Sequence, residues 1–592
     1  MNDGSSPTAP RISRPSGRLR ALVPFGVLVG CVFVVYANAI GAGFVADDPF
    51  FFNIVSRPRT AADLLSFFHT PVQVNPAIAP VETKVYRPLF FVYGAFAYRL
   101  FGKSAWAWHA ANVALHAINS CLALVILRRV FGLAPHLALL AAVLWAVHPV
   151  QVEAVTYVTG VNYLLPGVFL FLAVLVASGR WPGSWPSVGR ALVAVAAFTG
   201  AILSHELGLM VAPLAALAFL AAPGTGWPSG HRPDRGSPVS LAIMAVATLV
   251  YVVLRLTVID TGKAGQMGEA VSTLGLRLLQ APEIFLRYLA LLAFPARLTL
   301  DRSLDIPTPS GVFQARFILT WCLCGLLLWV TARVGRLIPS APFGLAWFFL
   351  AYLPVSNSVI PLYSLMAERY LYAASLGIIG GGIAVAHGIV RACRLGRAAA
   401  LAAIVVVVPY GARTVIRNHD WHNEFKFYQA TVKASPGSAY MHNNLGKIYQ
   451  DRGQLDLAER AYRAATEADP TFFAAYYNLG TVALAQGYLN KSEAYFHQAK
   501  TLRRHHAEGY YGLSIVAHRR GQEREAIAWL SQASGLPPAF VDTDLYMGMT
   551  YLALDRDRAA HFLNRFVSLA PDHPRASAIR ELLGQIPKAL QP

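Results

Sequence analysis

Charge is scarce in this chain. Asp, Glu, Lys and Arg make up only 14% of its 592 residues, against 55% hydrophobic residues. Together with a mean hydropathy of +0.45, that scarcity excludes a soluble protein of this size and points to one that crosses a membrane many times. Cysteine is rare as well. Cys31, Cys121, Cys322, Cys324 and Cys393 all sit in or beside apolar segments, and the last third has none. No disulfide framework or zinc ribbon is on offer there. The chain also lacks a glycine-rich phosphate loop, a His-Glu-x-x-His box and a Ser-His-Asp order, so an ATP-driven transporter has no support. Acidic residues are outnumbered, with 50 Lys+Arg against 31 Asp+Glu and a net charge of +19. Much of the basic excess lies in short loops between apolar runs, as the positive-inside rule expects. The implied partner is therefore the lipid bilayer, with no nucleic acid.

Apolar runs long enough to span recur near 21–40, 104–127, 133–148, 161–178, 190–204, 207–222, 239–259, 315–333, 340–356, 370–390 and 398–412, which reads as about 11 transmembrane helices. Arg128-Arg129, Arg180 with Arg190, Arg232 with Arg235, Arg333 with Arg336, and Arg391, Arg394 and Arg397 then fall on the cytoplasmic side. Segment 281–298 fits this pattern only as an interfacial or partly inserted helix on the far side. The basic stretch 1–20 stays in the cytoplasm and precedes an uncleaved first span. Everything after the last span emerges outside, in the periplasm if the membrane is a bacterial inner membrane.

The remaining third repeats itself. Gly453, Gly487 and Gly521 recur every 34 residues, as do Ala465, Ala499 and Ala533, while Pro436 and Pro470 are 34 apart and Pro538 twice that further on. Asn444-Leu445-Gly446 aligns with Asn478-Leu479-Gly480. This is the tetratricopeptide period: small residues let two helices approach, and each helix pair buries its apolar face on the next. Units fall near 438–471, 472–505, 506–539 and 540–572. The expected architecture is all-α, with a polytopic membrane domain over 21–415, a linker over 416–437, an α-solenoid over 438–572 and a C-terminal helix or tail over 573–592.

Charged groups at span ends are costly and therefore informative. On the far side these are Asp47-Asp48 in "GFVADDPF", Glu153 in "HPVQVEAV" with His148 at its head, Glu206 in "SHELG", and Glu368-Arg369 in "AERYLY". Two adjacent carboxylates raise one pKa, which yields a base able to take a proton from a hydroxyl. A hydroxyl attacking a sugar carbon needs such a base, and the leaving group outside the cytoplasm would be a lipid phosphate. Arg87 in "YRPL" and Arg369 are the candidate cations, since a guanidinium fork suits phosphate oxygens. His109, Asn112, His116 and Asn119 share one helical face. His109 and His116 stand on the order of 10 Å apart, too far to chelate one metal. They read as interhelical hydrogen-bonding groups, with His109 also able to line the site.

Taken in order, "GFVADD", "YRPL", "WHAANVALH", "HPVQVEAV", "SHELG" and "LPVSNSVIPLYSLMAERYLYAASLG", followed by the repeats, resemble the membrane O-mannosyltransferases with C-terminal tetratricopeptide repeats and their bacterial relatives. The resemblance covers residues 40–570. It implies a GT-C glycosyltransferase fold, a polyprenyl-phosphate-linked sugar as donor and Ser/Thr hydroxyls of proteins as acceptor. It also implies that Asp47 and Asp48 are catalytic, with Asp47 the base, and that they position the acceptor or a divalent cation such as Mg or Mn. Arg87, Arg369 and His205 would bind the donor phosphate, while His148, Glu153, Glu206, Glu368 and His109 would line the site. The repeats would recruit an acceptor protein or an assembly partner. Two departures remove fixed cations. Relatives read Gly-Arg where this chain has Gly160-Val161-Asn162, and Ser-Lys-Glu where it has Ser204-His205-Glu206. Arg87, Arg369 and a protonated His205 are the expected compensation. The rival readings are a transferase acting on a glycan or lipid acceptor, and a non-catalytic membrane-anchored scaffold descended from a transferase.

Overall fold

A computed structural model describes residues 17–585, apart from 74–83, 182–185, 221–237, 258–273, 301–314, 359–363, 395, 534–535, 537–540, 553–554 and 572–574. Arg232, Arg235 and Pro538 lie outside the described residues. The chain divides into two compact units, Met1–Phe427 and Tyr428–Pro592. Both are built from helices. Among the described residues the one extended pairing is Val72–Gln73 antiparallel to Lys84–Val85.

Among the described residues, six helices of the first unit are long and apolar enough to cross a membrane: Ala21–Ala39, Ala105–Arg129, Val158–Ala177, Ala315–Gly335, Glu368–Ala392 and Leu401–Asp420. A seventh span arises if Pro135–Ala146 and Pro149–Thr156, bent by 51° at their junction, count as one. The expected figure of about eleven also counted Val188–Ser204, Glu206–Leu220, Pro238–Leu254 and Ser340–Val355, which are apolar but short. The shortness has a local cause at two of these places. His148 and His205 both take extended backbone angles and accept a backbone N–H on the imidazole, which ends one helix and starts the next. Pro88–Phe101 is a further short apolar helix that the hydropathy pattern did not single out.

Residues 281–293 of segment 281–298 form the second part of helix Leu274–Ala293, and 294–298 follow it. Its Ile284, Phe285, Tyr288 and Leu291 are buried, and Phe285 and Tyr288 pack on Phe348 and Tyr352. The last span also outruns its apolar stretch. Helix Gly396–Asp420 continues well past 415, so the expected linker starts as helix. Thr414, Arg417 and Asn418 are buried there because they bond inward: Thr414 donates to the Val147 carbonyl at 2.7 Å, and the Asn418 amide donates to Val35 and Asn38.

The polar stripe of helix Ala105–Arg129 does interhelical work. Asn112 donates to the carbonyls of Val155, Tyr157 and Val158, Asn119 to that of Leu164, and His116 bridges the Tyr372 hydroxyl and the Ala146 carbonyl. All but the Tyr372 bond satisfy a carbonyl that lipid could not. Helices Ser340–Tyr352 and Leu371–Ala392 touch backbone to backbone. A Cβ on Gly344 would lie 2.3 Å from the Gly377 carbonyl oxygen, and one on Gly377 would lie 2.2 Å from that of Gly344.

The second unit is four successive helix pairs. They are Ala439–Asp451 with Leu455–Ala468, Phe473–Ala485 with Leu489–Leu502, Ala507–Arg519 with Glu523–Ala533, and Val541–Tyr551 with Arg556–Leu569; helix Ala576–Gln585 follows. The recurring glycines Gly453, Gly487 and Gly521 have φ of 72°, 82° and 74°. That is the left-handed conformation closing the first helix of each pair, which glycine adopts without a Cβ penalty. Adjacent repeats are stitched by the Asn478 amide donating to Asn443 at 2.8 Å.

Gly344→Ala should test the backbone contact. Neither carbonyl can swing aside without breaking its helix, so we expect a loss of about 1–3 kcal/mol, read as a lower thermal unfolding midpoint in detergent. An unchanged midpoint would show that the two helices separate freely.

Candidate active site

The acid pair sits at a strained corner. Ala46 has φ of 52°, a left-handed conformation that costs a non-glycine residue about 1 kcal/mol. The strain turns the chain so that Asp48 folds back: its backbone N–H donates to the Val45 carbonyl, and its Oδ2 accepts the Val45 N–H at 3.0 Å. Asp47 becomes the N-cap of helix Asp48–Val55, with Pro49 in the first turn. That helix is held down by aromatic packing, with Phe51 and Phe52 against Trp108. The loop is pinned from behind, where His109 Nε2 donates to the Gly43 carbonyl at 3.3 Å and the Gly43 N–H donates to the His422 carbonyl at 2.8 Å.

The two aspartates differ in kind. Asp48 is fully buried, and its second oxygen, Oδ1, accepts the Thr159 N–H at 3.1 Å. Burial pushes its carboxyl up to about 8, against the pull of the Val45 and Thr159 bonds and with a further push from the Asp47 charge. Asp47 is only partly buried, and its Oδ1 is enclosed without a hydrogen-bond partner. Its backbone N–H donates to the Tyr157 hydroxyl at 3.0 Å. Burial raises the Asp47 carboxyl above the usual carboxylate range, while a hydrogen bond from Tyr157 and the Arg369 charge pull it back.

The Arg369 field leads to the second acidic site. Glu153 is fully buried on helix Val152–Thr156. Its Oε2 accepts the Arg369 backbone N–H at 2.9 Å, and its Oε1 pairs with the Arg369 guanidinium. Arg87 forms the matching pair with Glu206, through Nε at 2.9 Å and Nη2 at 2.8 Å to one carboxylate oxygen. Tyr163 joins the two pairs. It lies in the fields of Arg369, Arg87 and Glu153, and its ring packs 4.9 Å from that of His205. Asp47, Asp48, Arg87, Glu153, Glu206 and Arg369 thus belong to one connected network, although they span more than half the chain.

Other expected members lie elsewhere or act differently. His205 was expected as a protonated cation. Its Nδ1 accepts the Leu207 N–H at 3.0 Å, so that nitrogen serves the turn and offers no donor to a phosphate. It caps the turn beneath Glu206, with the carboxylate 3.4 Å away. His148 was expected to line the site, yet it is spent on structure: Nδ1 accepts the Val150 N–H and Nε2 donates to the Leu292 carbonyl at 2.9 Å. Glu368 turns away from its neighbour Arg369, accepting the Thr299 N–H and standing 4.0 Å from Arg417. His109 supports the acid loop through its backbone.

Tyr157, Thr159 and Tyr163 were missed by sequence reasoning. All three follow Glu153 within "VEAVTYVTGVNY". Two tyrosines at the mouth of a span were the available signal, since a phenol there has an apolar body and a polar tip to place. Trp421, whose ring lies 5.3 Å from that of Tyr157, carried no comparable cue.

Family models and curated relatives both match parts of this chain. Residues 446–487 match a family model described as TPR repeat, and residues 473–506 match one described as Tetratricopeptide repeat. The chain is 26% identical over 461 residues to Protein O-mannosyl-transferase TMTC3 of Mus musculus, covering 73% of this chain and 50% of that protein. It is 25% identical over 480 residues to Protein O-mannosyl-transferase F38B6.6 of Caenorhabditis elegans, covering 78% and 64%. With Protein O-mannosyl-transferase TMTC4 of Homo sapiens the identity is 26% over 494 residues, covering 74% and 65%. The chain spans about half to two thirds of the length of these curated relatives. By sequence it is a homologue of the TMTC protein O-mannosyl-transferases, with several apolar helices of membrane-spanning character and tetratricopeptide repeats behind them.

Proposed function

We propose that this chain is a membrane glycosyltransferase of the GT-C class. It moves a hexose, mannose on the analogy of its relatives, from a polyprenyl-phosphate carrier to Ser/Thr hydroxyls of proteins. The orientation read from the sequence puts this chemistry on the periplasmic side of a bacterial inner membrane, where the repeat unit recruits the acceptor. The observation that carries the reading is the link from a partly exposed carboxylate, Asp47, through Arg369 to a second arginine, Arg87. A base and two phosphate-binding forks stand in one network.

In this mechanism the acceptor oxygen attacks the anomeric carbon while the bond from that carbon to the phosphate oxygen breaks. The bonding pair leaves on the phosphate, and the acceptor proton goes to Asp47. A raised pKa makes Asp47 a stronger proton acceptor than an exposed aspartate. Asp48 has both oxygens bound to backbone N–H groups and serves to hold the loop. Arg87 and Arg369 orient the phosphate and offset the charge that develops on it. Each arginine already faces a glutamate, so the two pairs sum to zero. A neutral cleft with donors suits the single negative charge of a phosphodiester better than a diphosphate.

A divalent cation does not fit the acid pair. Both Asp48 oxygens are committed to N–H donors, and among the described residues no three His, Cys, Asp or Glu side chains converge. No step is assigned to a metal.

Two variants separate the aspartates. Asp47→Asn should cut mannosyl transfer from polyprenyl-phosphate mannose to Ser/Thr peptides by about 10²-fold or more, with little change in thermal unfolding. Asp48→Asn should instead lower stability by about 1–3 kcal/mol, because an amide nitrogen cannot accept either backbone N–H. Undiminished transfer by Asp47→Asn would sink the assignment of the base.

Tyr157→Phe tests the same base through pH. The Tyr157 hydrogen bond holds the Asp47 pKa down, so its loss raises that pKa. A base works only when ionised, above its pKa. The acidic limb of kcat/KM should therefore move to higher pH, and a downward move in the pH–rate profile would contradict the assignment.

A further inference from the structure

Tyr163 stands between the two ion pairs and has no role in the mechanism above. It lies in the first turn of helix Val161–Ala177 and is buried. Its neighbours come from three separate parts of the chain: Arg87 beside Pro88–Phe101, the His205-Glu206 turn, and the Arg369-Tyr370 turn. Its ring sits among His205 at 4.9 Å and Tyr370 at 6.3 Å, which fixes the plane of the phenol. The charges acting on its oxygen are led by Arg369, ahead of Arg87 and Glu153, and a guanidinium can only donate. Facing two cations, the phenol can donate to neither, so its own O–H is left to give away. A hydroxyl whose oxygen faces a cation is also polarised into a better donor.

Arg87 and Arg369 cannot do this work alone. Arg87 spends Nε and Nη2 on Glu206, and Arg369 spends Nη1 and its backbone N–H on Glu153. Each is left with part of its fork. We propose that the Tyr163 hydroxyl is the third donor of this cradle, directed at the phosphate oxygen that takes up the electron pair when the sugar leaves. This rests on the reading of the site as the donor-phosphate site. In the ground state the phosphate is a diester carrying one negative charge. When the bond from the anomeric carbon to oxygen breaks, the pair stays on that oxygen and the lipid phosphate becomes a monoester of higher charge. A donor aimed there binds the product-like monoester better than the diester, so it contributes mainly to the transition state. Tyr163 is in this sense a catalytic residue that touches the leaving group.

The test uses the full chain in lipid nanodiscs and three probes: citronellyl phosphate as the monoester, its methyl diester, and inorganic phosphate. Tyr163→Phe keeps the ring and its packing and removes the O–H. We expect it to weaken citronellyl phosphate binding by about tenfold and methyl-diester binding by no more than about twofold. In turnover it should lower kcat by about tenfold with KM little changed. Equal weakening of both esters would show a packing role and overturn the proposal, as would wild-type affinity for the monoester. Citronellyl phosphate should bind at least tenfold tighter than inorganic phosphate; equal affinity would overturn a lipid-borne ligand. The double variant Arg369→Met with Glu153→Gln removes a whole ion pair without stranding a buried charge. If it binds citronellyl phosphate normally, the phosphate site itself is wrong. If it loses binding while Tyr163→Phe does not, only the role of Tyr163 falls.

Discussion

Glu153 is fully buried, and its charge is tolerated only while Arg369 stands against it. Removing one partner of such a pair costs about 3–5 kcal/mol, a large share of the ~5–15 kcal/mol that holds a domain folded. The pair does more than neutralise itself. Glu153 also accepts the Arg369 backbone N–H, which fixes where the Glu368–Tyr370 turn lies. Glu368, facing the other way, ties the same turn to Thr299 and approaches Arg417. Two adjacent residues of opposite charge thus anchor one turn to three parts of the unit. From that turn the Arg369 guanidinium reaches towards Asp47 on one side and Tyr163 on the other.

The backbone bears a local cost at the same place. Ala46 sits in a left-handed conformation immediately before the acid pair. What over-determines it is visible in its neighbours: Val45 exchanges bonds with Asp48, Thr159 holds the other Asp48 oxygen, and His422 holds Gly43. The buried aspartate stabilises the corner, and the less buried one is presented by it. A motif that looks like a pair of equals is therefore a buried clamp and a partly exposed carboxylate side by side.

Some of this was legible in the sequence. The apolar runs, the 34-residue period and the sparse charges at span ends are written in composition and spacing, because burial in lipid and stacking of repeats both impose periodic demands. The convergence of Arg87, Glu206, Glu153 and Arg369 was legible only as a list of costly residues. Their pairing depends on where helices from distant segments cross. Hydropathy also misjudged what ends a helix. His148 is expected to line the site and His205 to act as a cation, yet their imidazoles cap turns. Arg417 and Asn418 fall within the expected linker 416–437, yet both are buried in the first unit. A polar side chain bonded inside a protein looks the same in a one-dimensional pattern as one facing water. Tyr163 went unnoticed because a tyrosine in an apolar run is ordinarily packing.

If the chain is the proposed transferase, the pairing of both arginines with glutamates bears on the idle enzyme as well as on the working one. Bare guanidinium forks at the edge of a membrane would gather whatever small anions drift past, and the cleft would spend its time occupied by solutes with nothing to transfer. With their charge already balanced from within, they exert little pull at a distance. On the proposed reading, a visitor must bring an adhesive of its own, a greasy tail held by the surrounding bilayer, before its headgroup can compete for those donors. Selectivity against water-soluble phosphates then comes from the empty state of the site, before any sugar is recognised.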